Sequence, residues 1–198
     1  MFTEELNKYL IPGALHFVNK WCKGYGVDLI IKNARQTKLG DYRKAGNRHQ
    51  ITLNYGLDKE LSFHILTHEI AHMHARVKYG PNIKPHGIEW KITFSDLIYE
   101  SLHLFKDEFQ LILKDFAPNP RAGYYSYPPI AEYFQRKENP DRIVVKDMAF
   151  GSIFRSGNKI FKKVSQNKIR YICIEINTGR RFTVHPLAPV DEIIKNQS

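Results

Sequence analysis

The sequence predicts an α+β protein: a mostly helical first domain holding a small sheet, followed by a small antiparallel β module. Three observations predict it. Apolar residues recur at helical spacing in three stretches before residue 116, short β-type runs punctuated by hairpin turns fill the C-terminal part, and a proline- and tyrosine-rich segment without helical period separates the two. The resulting division is residues 1–116, a linker over 117–142, and a basic β-rich module over 143–198.

Pro12 stands where the first turn of a helix tolerates proline, and Leu15, Val18 and Cys22 follow at helical steps, so a first helix is expected over residues 12–24. After Gly26, VDLII is rich in branched residues, and HQITLNY alternates Ile51, Leu53 and Tyr55; both read as strands. The segment between them, KNARQTKLGDYRKAGNR, is turn-rich and sets Lys32, Arg35, Lys38, Arg43, Lys44 and Arg48 against Asp41 alone. Asp58 can cap the next helix, Glu60 suits its positive end, and Leu66, Ile70, Met73 and Val77 line one face. Gly80 followed by Pro81 ends it. From Ile88 a third helix carries Trp90, Phe94, Leu97, Ser101 and Phe105 as core positions and runs on to residue 114. Pro118, Pro120, Pro128, Pro129 and Pro140, with Tyr124, Tyr125 and Tyr127, mark the linker. Beyond it, RIVVKDMAFGSIFR, KIFKKVS, KIRYICIEIN and RRFTVHPLA are separated by the turn signals SGN, QN and NTG, which gives a small antiparallel sheet or barrel.

An apolar share of 42% over 198 residues is enough for a folded core. No apolar run approaches the roughly 18 residues that span a bilayer, and MFTEELNKYL carries acids where an export signal has bases. A cytoplasmic protein without a membrane partner is expected. Cys22 and Cys173 are far apart and form no CxxC, so two buried thiols are expected rather than a disulfide framework or a cysteine zinc site. The net charge of +10 favours a polyanionic partner such as nucleic acid.

The chemistry concentrates in LTHEIAHMHA, residues 66–75. Four residues of α-helix advance by about 400°, so His68 and His72 project from one side, a turn apart, where two imidazoles can share a metal ion. Glu69, displaced by about 100°, can reach the open side of that metal without ligating it. Chance places HExxH in roughly 2% of chains of this composition, so context decides; here the motif lies mid-helix with apolar residues backing it. A catalytic zinc takes three protein ligands and a water. Pro81 and Pro85 stiffen a short return that brings His86 back beside Gly87, whose missing side chain permits close backbone approach. His86 is the expected third ligand, with Glu89 and Glu100 on the following helix as substitutes; His64, one turn before His68, is expected in a supporting or exposed position.

HEIAH followed after thirteen residues by HGIEWK resembles the SprT-like metalloproteases, in which HExxH and a later HG(x)xW or HGxxF element carry three zinc-binding histidines and the catalytic glutamate. KLGDYR and ITLNYGL are similar to that family's strand and turn before the active-site helix, so the resemblance covers residues 10–110. It implies a zincin-like domain with HExxH on the central helix, one Zn²⁺ held by His68, His72 and His86, and Glu69 as the acid/base residue. The chain departs from many members in lacking the paired cysteines of a second zinc site: only Cys173 lies in its tail.

What stands in that place is basic. Residues 151–182 hold eight lysines and arginines against Glu175 alone, and Lys162, Lys163, Arg170, Arg180 and Arg181 are the candidate nucleic-acid contacts. Phe154, Phe161, Tyr171 and Phe182 are interleaved with them; they suit either base stacking or the core face of alternating strands. The expected function is a zinc-dependent endopeptidase, with proteins as substrates and, by the resemblance, DNA-associated proteins among them. The competing expectation is a nucleic-acid-binding, transcription-linked protein with a structural metal and no proteolytic activity. Spacing names no residue for stabilising an oxyanion.

Overall fold

Helix α1 (Ala14–Cys22) starts two residues after Pro12, entered through Gly13 in the left-handed conformation at φ +82°, where a Cβ would lie 2.9 Å from the Leu104 side chain. The computed structural model describes residues 2–35 and 37–194 and divides into two units at Ile130 and Ala131.

In the first unit, strands β1 (Val27–Lys32) and β3 (Arg48–Asn54) form where branched residues predict them and pair in parallel, Leu29 opposite Ile51. The basic segment between them is not all turn. Gly40–Ala45 forms β2, antiparallel to β3 with Tyr42 opposite Ile51, at the edge of a sheet ordered β1-β3-β2. With one apolar residue on the inward face, β2 has no hydrophobic alternation to announce it, and its charges suit an unpaired edge.

Helix α2 (Lys59–Tyr79) follows, and Asp58 caps it by accepting from the backbone N–H groups of Glu60 and Leu61. Thirteen of its 21 residues are buried, because it packs against the sheet and against α1 and α3 (Ile88–Ser101). Leu66, Ile70 and Met73 are fully enclosed, whereas Val77, expected on the same face, is 47% exposed near the helix end. Trp90, Phe94, Leu97, Ser101 and Phe105 are all buried, but the expected continuous helix to residue 114 breaks. A 3₁₀ turn (Leu102–Leu104) intervenes, Phe105 is extended, and α4 (Asp107–Phe116) starts afresh. Glu60, from the first turn of α2, accepts the Lys106 N–H at 2.8 Å and so holds the break open.

The proline-rich segment also differs from expectation. After a 3₁₀ turn at Tyr124–Ser126, helix α5 (Pro128–Glu138) runs across the division between the units, with Ile130, Ala131 and Phe134 buried. Two prolines lie in its first turn, where the amides they lack have no helical partner to lose.

The second unit contains a five-stranded antiparallel sheet ordered β7-β6-β5-β4-β8, built from β4 (Ile153–Ser156), β5 (Lys159–Asn167), β6 (Arg170–Glu175), β7 (Arg181–Val184) and the unexpected β8 (Glu192–Ile194). One face encloses Val145, Met148, Phe154, Phe161 and Cys173, with Tyr171 and Phe182 packed against them. Phe154 and Phe161 are therefore core residues, and Tyr171 and Phe182 are partly buried against that core. Both cysteines are free and buried, and no helix among the described residues is long and apolar enough to cross a membrane.

Candidate metal centre

His68 and His72 project from the middle of α2, and His86 returns to meet them. The return depends on two backbone features. Gly80 closes α2, its N–H donating to Arg76 O, and the Gly87 N–H donates to Lys84 O at 2.8 Å. A Cβ on Gly87 would sit 2.9 Å from that same Lys84 oxygen, so glycine is required by close approach. His86 itself adopts φ +58°, a left-handed conformation unusual for a side-chain-bearing residue and found where surrounding structure enforces it.

The three Nε2 atoms converge: His68 to His72 at 3.2 Å, His72 to His86 at 3.0 Å, and His86 to His68 at 3.3 Å. Ligand atoms about 2.0–2.1 Å from a tetrahedral ion lie roughly 3.3 Å apart, so the trio fits one metal ion. Among the described residues no other group of three His, Cys, Asp or Glu ligand atoms converges this way. Glu100 is engaged elsewhere, accepting from Trp21 Nε1 at 2.9 Å and pairing with Lys20. Trp90, four residues after His86 and 1% exposed, braces all three rings, its centroid 4.7 Å from those of His68 and His86 and 5.3 Å from that of His72. Burial, with the imidazoles' mutual repulsion, holds His68 well below the usual histidine range and His72 down at about 4, while burial lowers His86. Neutral imidazole is the form that binds a metal.

Glu69 lies 7% exposed on the neighbouring stripe of α2. Burial, reinforced by Asp41, pushes its carboxyl up to about 8 against the opposing pull of Lys38, Arg35 and a hydrogen bond from the Tyr42 backbone N–H. Strand β2 thus meets the carboxylate directly. At Gly40 a Cβ would stand 2.8 Å from Glu69 Oε1 and 2.6 Å from Ile65 Cγ2, so the strand passes this close only because residue 40 has no side chain. The Tyr42 ring lies parallel to that of His72, with centroids 6.3 Å apart, and its hydroxyl bonds to His49 Nδ1. These groups border a cleft of about 820 Å³ between β2, α2 and the 81–86 return, closed further by Ala122–Ser126.

Gly40, Tyr42, Trp90 and Arg76 complete a site that the histidine spacing alone does not list. A glycine inside a strand signals close backbone approach, and Trp90 belongs to the HGIEWK element; Arg76 gives no signal beyond its place one turn after His72. Of the two positions expected for His64, the exposed one is excluded: the residue is 5% exposed and walled by the rings of Phe94, Phe109 and Phe116, and among the described residues its Nδ1 has no hydrogen-bond partner.

Of the basic candidates in the second unit, Lys162, Arg170, Arg180 and Arg181 are exposed. Lys162 and Arg181 flank Ile174 in one row of the outer sheet face, about 10 Å apart at two strand spacings. Lys163 is a correction. Strand alternation turns it to the core side with Phe161, where it is 2% exposed and its Nζ donates to the carbonyls of Val145 (2.9 Å) and Met148 (2.6 Å) beneath the Tyr171 ring. Adjacent lysines of one strand cannot both face solvent when one side of the sheet is core.

Compared with known proteins, residues 7–103 match the model of the SprT-like family, a family of metallopeptidase type. No curated protein and no solved structure matches the chain.

Proposed function

With a SprT-like domain over residues 7–103 as the premise, we propose that this protein is a zinc-dependent endopeptidase of zincin-like architecture acting on protein substrates. The observation that supports it best is the convergence of three Nε2 atoms within 3.3 Å of one another beside a buried glutamate that is not one of them. An all-imidazole, neutral donor set with one side open suits zinc. Bound there, zinc would supply Lewis-acid chemistry, activating water and polarising a peptide carbonyl.

The chain's own residues provide the rest. His68, His72 and His86 would hold the ion, and Trp90 packs against all three rings. Glu69 accepts the proton of the attacking water and delivers it to the leaving amine. A buried carboxyl beside the three imidazoles, not itself one of the ligand set, is placed for both halves of that transfer. The Tyr42 N–H donates to the carboxylate, and the missing side chain of Gly40 lets β2 pass close enough to make that bond. The exposed cations of the second unit support DNA-associated proteins as targets; they also favour the competing reading, a nucleic-acid-binding protein in which the metal is structural.

Glu69→Gln separates the two readings. Purified with one zinc ion per chain, the variant is expected to keep its metal and lose at least about 100-fold in hydrolysis of casein or of a DNA-bound protein. Chelation should abolish wild-type hydrolysis, and readdition of zinc should restore it. A zinc-replete wild type that cleaves neither substrate would leave the structural-metal reading standing.

A further inference from the structure

The cleft has two chemically different ends, and the metal-ligating histidines lie between them. Strand β2 and helix α2 run past each other in the same sense. At Gly40 the strand faces Ile65 and Glu69, and two residues on, Tyr42 faces His72. Continuing outward, the end before Gly40 is lined by Leu39, Leu61 and Ile65, with Leu61 and Ile65 two and one helical turns ahead of Glu69. The opposite end, beyond Tyr42, carries the cations Lys44 on the strand, Arg76 one turn after His72, and Lys84 from the return loop, with Pro81, Ile83 and Pro85 of the same return beside them.

Charge follows the same division. Near the apolar end Lys38 is paired with Asp41 at 2.8 Å, and Arg35, whose charge also acts on Glu69, lies outside the cleft lining and donates to Asn54 Oδ1 at 2.8 Å. At the other end, among the described residues, no acid pairs with Lys44, Arg76 or Lys84; Lys44 is held by Asn47 O (3.0 Å) and His49 Nε2 (3.1 Å), and neither contact neutralises it. Arg76 is half-buried, and its charge acts on both Tyr42 and His49. A partly desolvated guanidinium without a counterion is a site for a carboxylate, which it can grip through two parallel hydrogen bonds.

We infer that the cleft selects peptides with an acidic side chain on one side of the scissile bond and an apolar side chain on the other. Arg76 and Lys84 are the specificity-determining residues for the acid, and Leu61 and Ile65 those for the apolar group. This inference rests on the peptidase reading. A nucleic-acid strand suits the cleft poorly, because the carboxylates of Glu69 and Asp41 and an apolar floor line the rest of its path.

The test measures binding separately from cleavage. Full-length Glu69→Gln, loaded with zinc, is titrated by fluorescence anisotropy with a labelled hexapeptide joining two glutamates to two leucines, and with its counterpart carrying lysines for glutamates. The acidic peptide should bind at least about tenfold tighter. Arg76→Glu should erase or reverse that ratio, and Lys84→Glu, at an exposed position with little bearing on folding, should reduce it. Equal affinities, or a ratio that neither substitution changes, overturn the inference; so does a single-stranded DNA oligonucleotide that displaces the peptide and loses affinity in Arg76→Glu. Selective binding without wild-type cleavage of the same peptide supports the two-ended cleft while the peptidase reading fails. Zinc-dependent cleavage of casein together with unselective peptide binding keeps the peptidase reading and rejects the cleft assignment.

Discussion

His64 and His68 stand one turn apart on α2 and have different surroundings. His68 joins two other imidazoles at the cleft, while His64 is enclosed by three phenylalanine rings, its Nδ1 without a partner among the described residues. Spacing along the helix is identical for both, so the sequence signals only that both face the same side; the neighbours supplied by α3 and α4 decide which of them meets the other two imidazoles. Burial holds His64 neutral, with its pKa lowered from 6.5 to about 4. Between those values the unfolded chain binds more protons than the folded one, so the folded state loses stability as pH falls from 6.5 toward 4, by about 3 kcal/mol in all, and none of this loss applies above that window. Denaturant unfolding of the metal-free protein and of His64→Leu, from pH 7 to pH 4, should show the wild type losing that much more than the variant. Parallel stability curves would count against a neutral buried imidazole.

At the scale of elements, β2 carries the largest gap between sequence and structure. Its composition reads as a basic turn, yet its pairing with β3 makes it the edge strand that touches Glu69. An edge strand need not be apolar, because its partner supplies the hydrogen bonds and its outer rim faces water. In Gly40→Ala the added methyl has Ile65 Cγ2 at 2.6 Å and Glu69 Oε1 at 2.8 Å, so strand or carboxylate must shift. Under the proposed role of Glu69, where misplacing a catalytic group by about 1 Å costs up to 10²-fold, kcat should fall by at least about tenfold with zinc content unchanged. Loss of zinc in step with activity would mean instead that the whole centre had moved. Other elements were legible: Asp58 caps α2 as its position predicts, and Gly80 ends it. The break between α3 and α4 was not, because it depends on Glu60 reaching the Lys106 N–H across 46 residues of sequence.

For the whole molecule, the excess of positive charge is a sequence property, but its distribution is a property of folding. Of the five expected contacts in the second unit, Lys163 is consumed by backbone carbonyls, and the nearby Arg155 and Lys159 pair with Glu192 and Glu175. Lys162, Arg170, Arg180 and Arg181 remain exposed. If they neutralise phosphates, affinity for duplex or single-stranded DNA should fall steeply between about 50 and 200 mM salt. Converting Lys162, Arg170 and Arg181 together to alanine should flatten the slope of log affinity against log salt by as much as about 2–3. Binding insensitive to salt would remove nucleic acid from the account of this unit.

By itself the sequence determined the local and periodic features: the helix bearing His68, Glu69 and His72, its cap and its stop, the strands rich in branched residues, the buried thiols, and the placing of His86 by a proline-stiffened return. These are set by dihedral preference and repeat period, which act over a few residues and can be read without knowing what lies across the fold. Tertiary structure alone decided the use of Gly40 and Tyr42 to hold Glu69, the enclosure of His64, the inward turn of Lys163, and the contrast between the two ends of the cleft. Each depends on which distant segment packs against a residue. Burial and charge compensation are set by that neighbour, and sequence spacing does not encode it.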